Sequence, residues 1–274
     1  MMPRLVWNRV YADFLMPSRL AAFRSLLEEA LDAGYIVESI RAFWERLCRG
    51  DAPPARCLVL RHDVDTDPAT AAAMWRVGTS LGIQGSFFFR LSTVDVQLMR
   101  AIDQAGGDVG YHYEELATIA KRRRVHDRET LLTHLPESRD RFRVNLGRLR
   151  DATGLRLGIA AAHGDFVNRR LLLTNSALLD DERFRSDIGI DLEVYDASFM
   201  RHVTSRHADT GYPRFWMTGD PIEAMARREP VIYLLVHPRH WRVARAVNLR
   251  DDARRLADGV SYALPIGDDR RAAR

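Results

Sequence analysis

Asp63 and Asp65 stand two residues apart at the end of a mostly apolar run, Leu58-Val59-Leu60-Arg61-His62-Asp63-Val64-Asp65. Successive side chains of a strand point to opposite faces, so the two carboxylates face one way and His62 and Val64 the other. Like charges side by side repel and resist desolvation. The pair therefore points to a bound metal or a catalytic use. A competing reading is that Asp65 or Asp67 caps the helix opened by Pro68. That reading explains one aspartate but not the pair.

Three more apolar segments end in chemistry-bearing residues. Asp108-Val109-Gly110-Tyr111 runs into His112 and, two residues on, Glu114. Leu157 to Ala162 ends at His163, which alternates with Ile159 and Ala161. Val231 to Val236 ends at His237. Imidazole together with carboxylate suits zinc and similar divalent ions. A histidine near neutral pH also suits general acid catalysis, which is the reading favoured for His237. Each histidine has a plainer reading as a hydrogen-bonded structural group. Trp241, just beyond His237, suits stacking on a sugar ring and suits core packing equally. His126, His134, His202 and His207 fall in charged or loop segments and read as surface residues.

Elements must carry these residues to one place. Apolar strands alternate with helical stretches along the chain: Ser18–Ala33, Pro68–Leu81, Asp95–Gln104 and most of Glu115–Thr153 read as helices. Regular β–α alternation implies βαβ units and a parallel sheet, whose C-terminal strand ends converge on one face. The stretch Tyr195–Trp216 reads as a long loop of the kind that carries function. The tail from about Gly259 onward reads as poorly ordered or only loosely packed, so the expected division is a single domain over residues 1–258 and a poorly ordered tail over residues 259–274.

Composition narrows the function. The 274 residues carry a net charge of +4, almost wholly from arginine, since Lys121 is the only lysine. Lys121-Arg122-Arg123-Arg124 reads as a solvated face rather than a nucleic-acid footprint. No apolar run approaches the roughly 20 residues that span a bilayer, and no signal-peptide pattern is present, so a cytoplasmic protein with no membrane and no nucleic-acid partner is expected. Two cysteines, Cys48 and Cys57, make neither a disulfide framework nor a thiolate zinc site.

Taken together, the motifs resemble those of the polysaccharide deacetylase family, the nodulation-type deacetylases. His62-Asp63-Val64-Asp65 is similar to the family's first motif, Gly110-Tyr111-His112 to the start of its second, and Leu235-Val236-His237 to its last. The resemblance runs from roughly Ser18 to Trp241. It implies a distorted (β/α) barrel of about seven parallel strands and metal-assisted removal of an acetyl group from a sugar or sugar-containing metabolite. It implies Asp63 as the base, Asp65 and His112 as metal ligands, His237 as the acid, and zinc as the metal. Glu114, Tyr111 and Trp241 are then expected to contact the substrate. Two positions depart from the pattern. Leu116 stands where the family has a second histidine, and Ala161-Ala162-His163-Gly164 stands where an Arg-x-Pro motif is expected. His163 is the favoured replacement ligand, with Glu114 as the other. An amidase of the same fold acting on a non-sugar C–N bond, and a non-catalytic ligand-binding barrel, are the alternatives.

Overall fold

The computed structural model describes residues 2–210 and 212–263. Eight strands form one sheet: β1 Ile36–Glu38, β2 Cys57–Val64, β3 Ser86–Phe89, β4 Asp108–Tyr113, β5 Ile159–Ala162, β6 Leu192–Glu193, β7 Ser205–Ala208 and β8 Val231–Val236. Every pairing is parallel, in the order β6-β5-β4-β3-β2-β8-β7. β1 lies beside the first half of β2, at Cys57 to Val59, and β3 continues along the same edge from Arg61. No ladder joins β6 to β7 among the described residues, so the sheet is an open half-barrel. The distorted barrel expected from the sequence is the fold observed.

All eight residues of β2 are buried. A strand buried on both faces belongs at the centre of a parallel sheet, where its run reads as continuously apolar. The two faces fill different cores. Cys57, Val59, Phe88, Ile159, Ala161, Val231 and Tyr233 form the inner cluster, together with Phe43 and Phe199. Their neighbours along the strands, among them Leu58, Leu60, Val109, Tyr111, Ala160, Ile232 and Leu234, pack outward against the helices. Gly110 is required on the inner face, because a Cβ there would overlap the Phe88 ring.

One parity therefore sends Asp63, Asp65, His112, His163 and His237 inward at the strand tops. His62 goes outward and stacks on Phe87 at 3.9 Å between ring centroids. Burial lowers its pKa to about 4, so this histidine is neutral.

Three expectations about the elements need correction. The helix Arg245–Ala263 runs across the boundary expected at Gly259. Near its end Tyr262 is buried, donates to the Val125 carbonyl and packs on Phe166. A buried aromatic anchor explains why this segment is docked. Residues 264–274 of the expected tail lie outside those described. Within Tyr195–Trp216, Ser205–Ala208 is a strand, paired with β8. His207, expected at the surface, is 3% exposed and its Nδ1 bonds the Gly219 carbonyl oxygen. No helix among the described residues is long and apolar enough to cross a membrane.

Candidate active site

Asp65, His112 and His163 meet at the tops of β2, β4 and β5, with their ligand atoms all within 4.8 Å of one another. His112 Nδ1 lies 2.9 Å from the Ala161 carbonyl oxygen, which can only accept. That carbonyl holds a proton on Nδ1 and so turns Nε2 toward Asp65 as the candidate ligand atom. That Nε2 is 3.3 Å from Asp65 Oδ1, and His163 Nε2 is 3.7 Å from the same oxygen. Asp65 Oδ1 is buried with no hydrogen-bond partner. A buried carboxylate oxygen facing two imidazoles, with no donor of its own, fits a divalent cation. Burial opposes the charge of Asp65, but His163 and His112 overcome it and hold the carboxyl well below its usual range.

Outer residues fix this cluster. His163 Nδ1 lies 3.1 Å from Glu114 Oε2, close enough for an electrostatic contact though off the line of a good hydrogen bond. Arg90 grips both oxygens of Glu114 at 2.7 and 2.8 Å and also donates to the Asp65 carbonyl at 3.3 Å. Glu114 thus stands behind His163 and is neutralised by Arg90. Leu116, which departs from the expected second histidine, is fully buried in a separate cluster with Ala120 and Val167. The third donor comes instead from β5.

Asp63 sits beside the cluster, its Oδ2 3.4 Å from His112 Nε2. Both of its oxygens accept from Arg61, at 2.7 Å each. Arg61 is wholly buried, donates to the Tyr233 hydroxyl at 3.0 Å and lies over the rings of Tyr195 and Phe88. Burial pushes the Asp63 carboxyl up, and Arg61 more than reverses this, so it stays ionised. Sequence reasoning assigned Arg61 no role, although it shares the inward parity of Asp63.

On the other side stands His237, at the top of β8. Asp209 binds it twice: Oδ2 accepts from the His237 backbone N–H at 2.8 Å, and Oδ1 lies 2.6 Å from Nδ1. Asp209 also accepts from His240 Nδ1 at 2.9 Å and Trp241 Nε1 at 2.7 Å. Burial disfavours charge on His237, but the Asp209 carboxylate outweighs it and raises the pKa to about 9. His237 is therefore an imidazolium at neutral pH, with Nδ1 engaged and the Nε2 proton available. Asp209, His237 and His240 also lie close enough to resemble a metal set. With four donors on Asp209, that group is satisfied as a hydrogen-bond hub.

Two expected substrate contacts are corrected. Tyr111 follows the outward parity, is 1% exposed and donates to Glu115 behind the sheet. Trp241 is 2% exposed, packed on Phe23 and Phe215, with its N–H held by Asp209. Neither presents a face to a ligand. Glu114 lies at the cluster, but as a partner of His163.

Two cavities open onto these groups. One, of about 560 Å³, is lined by His163, Arg90, Asp165 and the helix Arg245–Ala263. The other, of about 430 Å³, is lined by Asp65, His237, His240 and Tyr212. Arg9 and Arg255 line both.

Fold and site together define an α/β half-barrel with a candidate metal centre between an arginine-paired aspartate and an aspartate-held histidine. No family model matches the chain, and no curated protein matches its sequence. Among solved structures the chain is similar to the Streptococcus pyogenes deacetylase PplD in complex with acetate. The identity is 11% and the TM-score 0.43, over 81% of this chain and 84% of that one.

Proposed function

We propose that this chain is a zinc-dependent hydrolase that removes the N-acetyl group from a sugar or sugar-containing metabolite. The observation that carries the reading is the strand-end arrangement: Asp65, His112 and His163 as a three-donor set, Asp63 on one side and a charged His237 on the other. This is the division of labour that amide hydrolysis needs, with a base for the water and an acid for the leaving amine.

Asp65, His112 and His163 would hold the ion, which would polarise the acetyl carbonyl and activate water. Asp63, kept ionised and oriented by Arg61, accepts the proton of the attacking water. His237 gives its Nε2 proton to the amine nitrogen as the C–N bond breaks, and Asp209 stabilises the imidazolium beforehand. Acetate and the free amine are the products. Tyr212, 46% exposed beside the second cavity with its ring 4.7 Å from Tyr11, offers the aromatic face for a sugar that Trp241 lacks. The helices carrying Arg9 and Arg255 stand over the strand tops, which favours a small soluble substrate over the interior of a polymer.

The test is acetate release from N-acetylated amino sugars by the zinc-loaded protein. Asp63→Asn should keep zinc and lose about 10²-fold or more in rate, the usual contribution of a general base. Full activity in that variant would remove Asp63 from the chemistry. No acetate from any amino sugar would remove the deacetylase reading.

A further inference from the structure

The larger cavity carries a charge balance that the chemistry described above does not use. Four carboxylates line it and pair with three lining cations, Lys121 serving two of them. Asp165 accepts from Lys121 at 2.7 Å, and Asp258 lies 3.6 Å from the same ammonium. Asp251 pairs with Arg255 at 2.7 Å, and Asp252 with Arg9 at 2.7 Å. Arg90 is committed to Glu114. Two lining side chains remain, Arg169 and Arg254, and neither has an ion-pair or hydrogen-bond partner among the described residues. They belong to different helices, Phe166–Leu171 and Arg245–Ala263, yet border the same cavity. That cavity reaches the candidate metal centre through His163.

We propose that Arg169 and Arg254 bind a phosphate monoester on the substrate, a group that stays in this cavity while the acetyl group is cleaved beside His163. The proposal rests on the deacetylase reading for the reaction, but the anion site itself does not. Two unpaired guanidinium groups, set against the one carboxylate charge left by the shared Lys121, leave the lining net positive, which favours a phosphate monoester of about −1.5 to −2 at neutral pH. Guanidinium forks bind its oxygens in pairs, which a neutral sugar hydroxyl cannot repay equally. The volume of about 560 Å³ is within the range of small-molecule sites. A substrate of this kind is a sugar phosphate, whose supply requires an acetyl transfer to an amine and a separate phosphoryl transfer to a hydroxyl.

The test measures binding of inorganic phosphate and of N-acetylglucosamine 1-phosphate to the zinc-loaded chain by calorimetry. R169E/R254E is compared with wild type and with R76E, an exposed arginine on the helix Pro68–Ser80 that lines neither cavity. Both cavity arginines are exposed, so their reversal should leave the thermal melt unchanged. The expected result is at least about tenfold weaker binding of both probes in R169E/R254E and no change in R76E, because a charged hydrogen bond contributes at least that factor. Equal affinity in wild type and R169E/R254E overturns the proposal. So does tighter binding of glucuronate, which carries a carboxylate, than of the phosphorylated sugar. Arginine-dependent phosphate binding without acetate release from any sugar would support the anion site and sink the deacetylase reading alone.

Discussion

Asp209→Asn tests how His237 is charged. In the native chain the imidazolium is stabilised by a buried carboxylate, and its pKa is about 9 instead of the ordinary 6.5. At pH 8 about ten of its molecules are protonated for each neutral one. Without the Asp209 charge, burial is opposed only by the smaller effects of Asp65 and Asp63, so the pKa falls well below 9 and the protonated share at pH 8 drops. The folded-state pKa is raised above the unfolded one. Its stabilising contribution is therefore complete below about pH 6.5 and disappears as pH rises through about 9. That contribution is roughly 3 kcal/mol, from 1.36 kcal/mol per pKa unit. Asparagine also presents an NH₂ where Asp209 accepted, so donors among His237, His240 and Trp241 lose partners at about 1–3 kcal/mol each. An NMR titration of the His237 Cε1–H signal in metal-free protein, with thermal melts from pH 6 to pH 9.5, reads both effects. The variant should titrate well below 9, and the native decline in melting temperature between pH 6.5 and 9 should shrink. A His237 that still titrates near 9 in Asp209→Asn would refute the reasoning, because another group would then be holding the proton.

Two further substitutions probe the residues behind the reacting groups. Arg61→Leu leaves Asp63 as an unpaired buried charge and should cost about 3–5 kcal/mol in chemical denaturation, with Asp63 shifted toward protonation. A loss below about 1 kcal/mol would show that the pair is not what stabilises that carboxylate. Glu114→Gln removes the charge behind His163 and should weaken zinc binding about 10–100-fold in a competition titration, with some loss of stability because Arg90 loses its carboxylate. Unchanged zinc affinity would remove Glu114 from the support of the centre.

How far the sequence exposed this site depends on strand parity. Asp63, His112, His163 and His237 could be read because each extends an apolar strand on its inward register, which a period of two makes visible. The same alternation sends Tyr111 outward, and applying it to Tyr111 would have corrected that expectation. Arg61 was hidden within its own run, since a fully buried arginine is rare and is intelligible only beside its carboxylate. Asp209 was missed for a different reason. Ser205–Ala208 has no apolar alternation, so nothing marked it as a strand that would end beside His237. The one local signal was the Thr-Gly pair that follows Asp209, a common turn sequence. Trp241 was misread because its burial depends on Phe23 and Phe215, more than 20 residues away at the nearer, whose approach no local pattern encodes. Asp67, weighed with Asp65 as a helix cap, does accept from the Thr70 backbone N–H, which leaves Asp65 free for the cluster.

The central claim is that Asp65, His112 and His163 bind one divalent ion. It is tested most directly by zinc content after metal loading, in wild type, Asp65→Ala, His163→Ala and His240→Ala. Wild type and His240→Ala should hold close to one zinc per chain, and Asp65→Ala and His163→Ala should lose it. Zinc retained in His163→Ala but lost in His240→Ala would place the ion on the Asp209 hub instead and contradict the account.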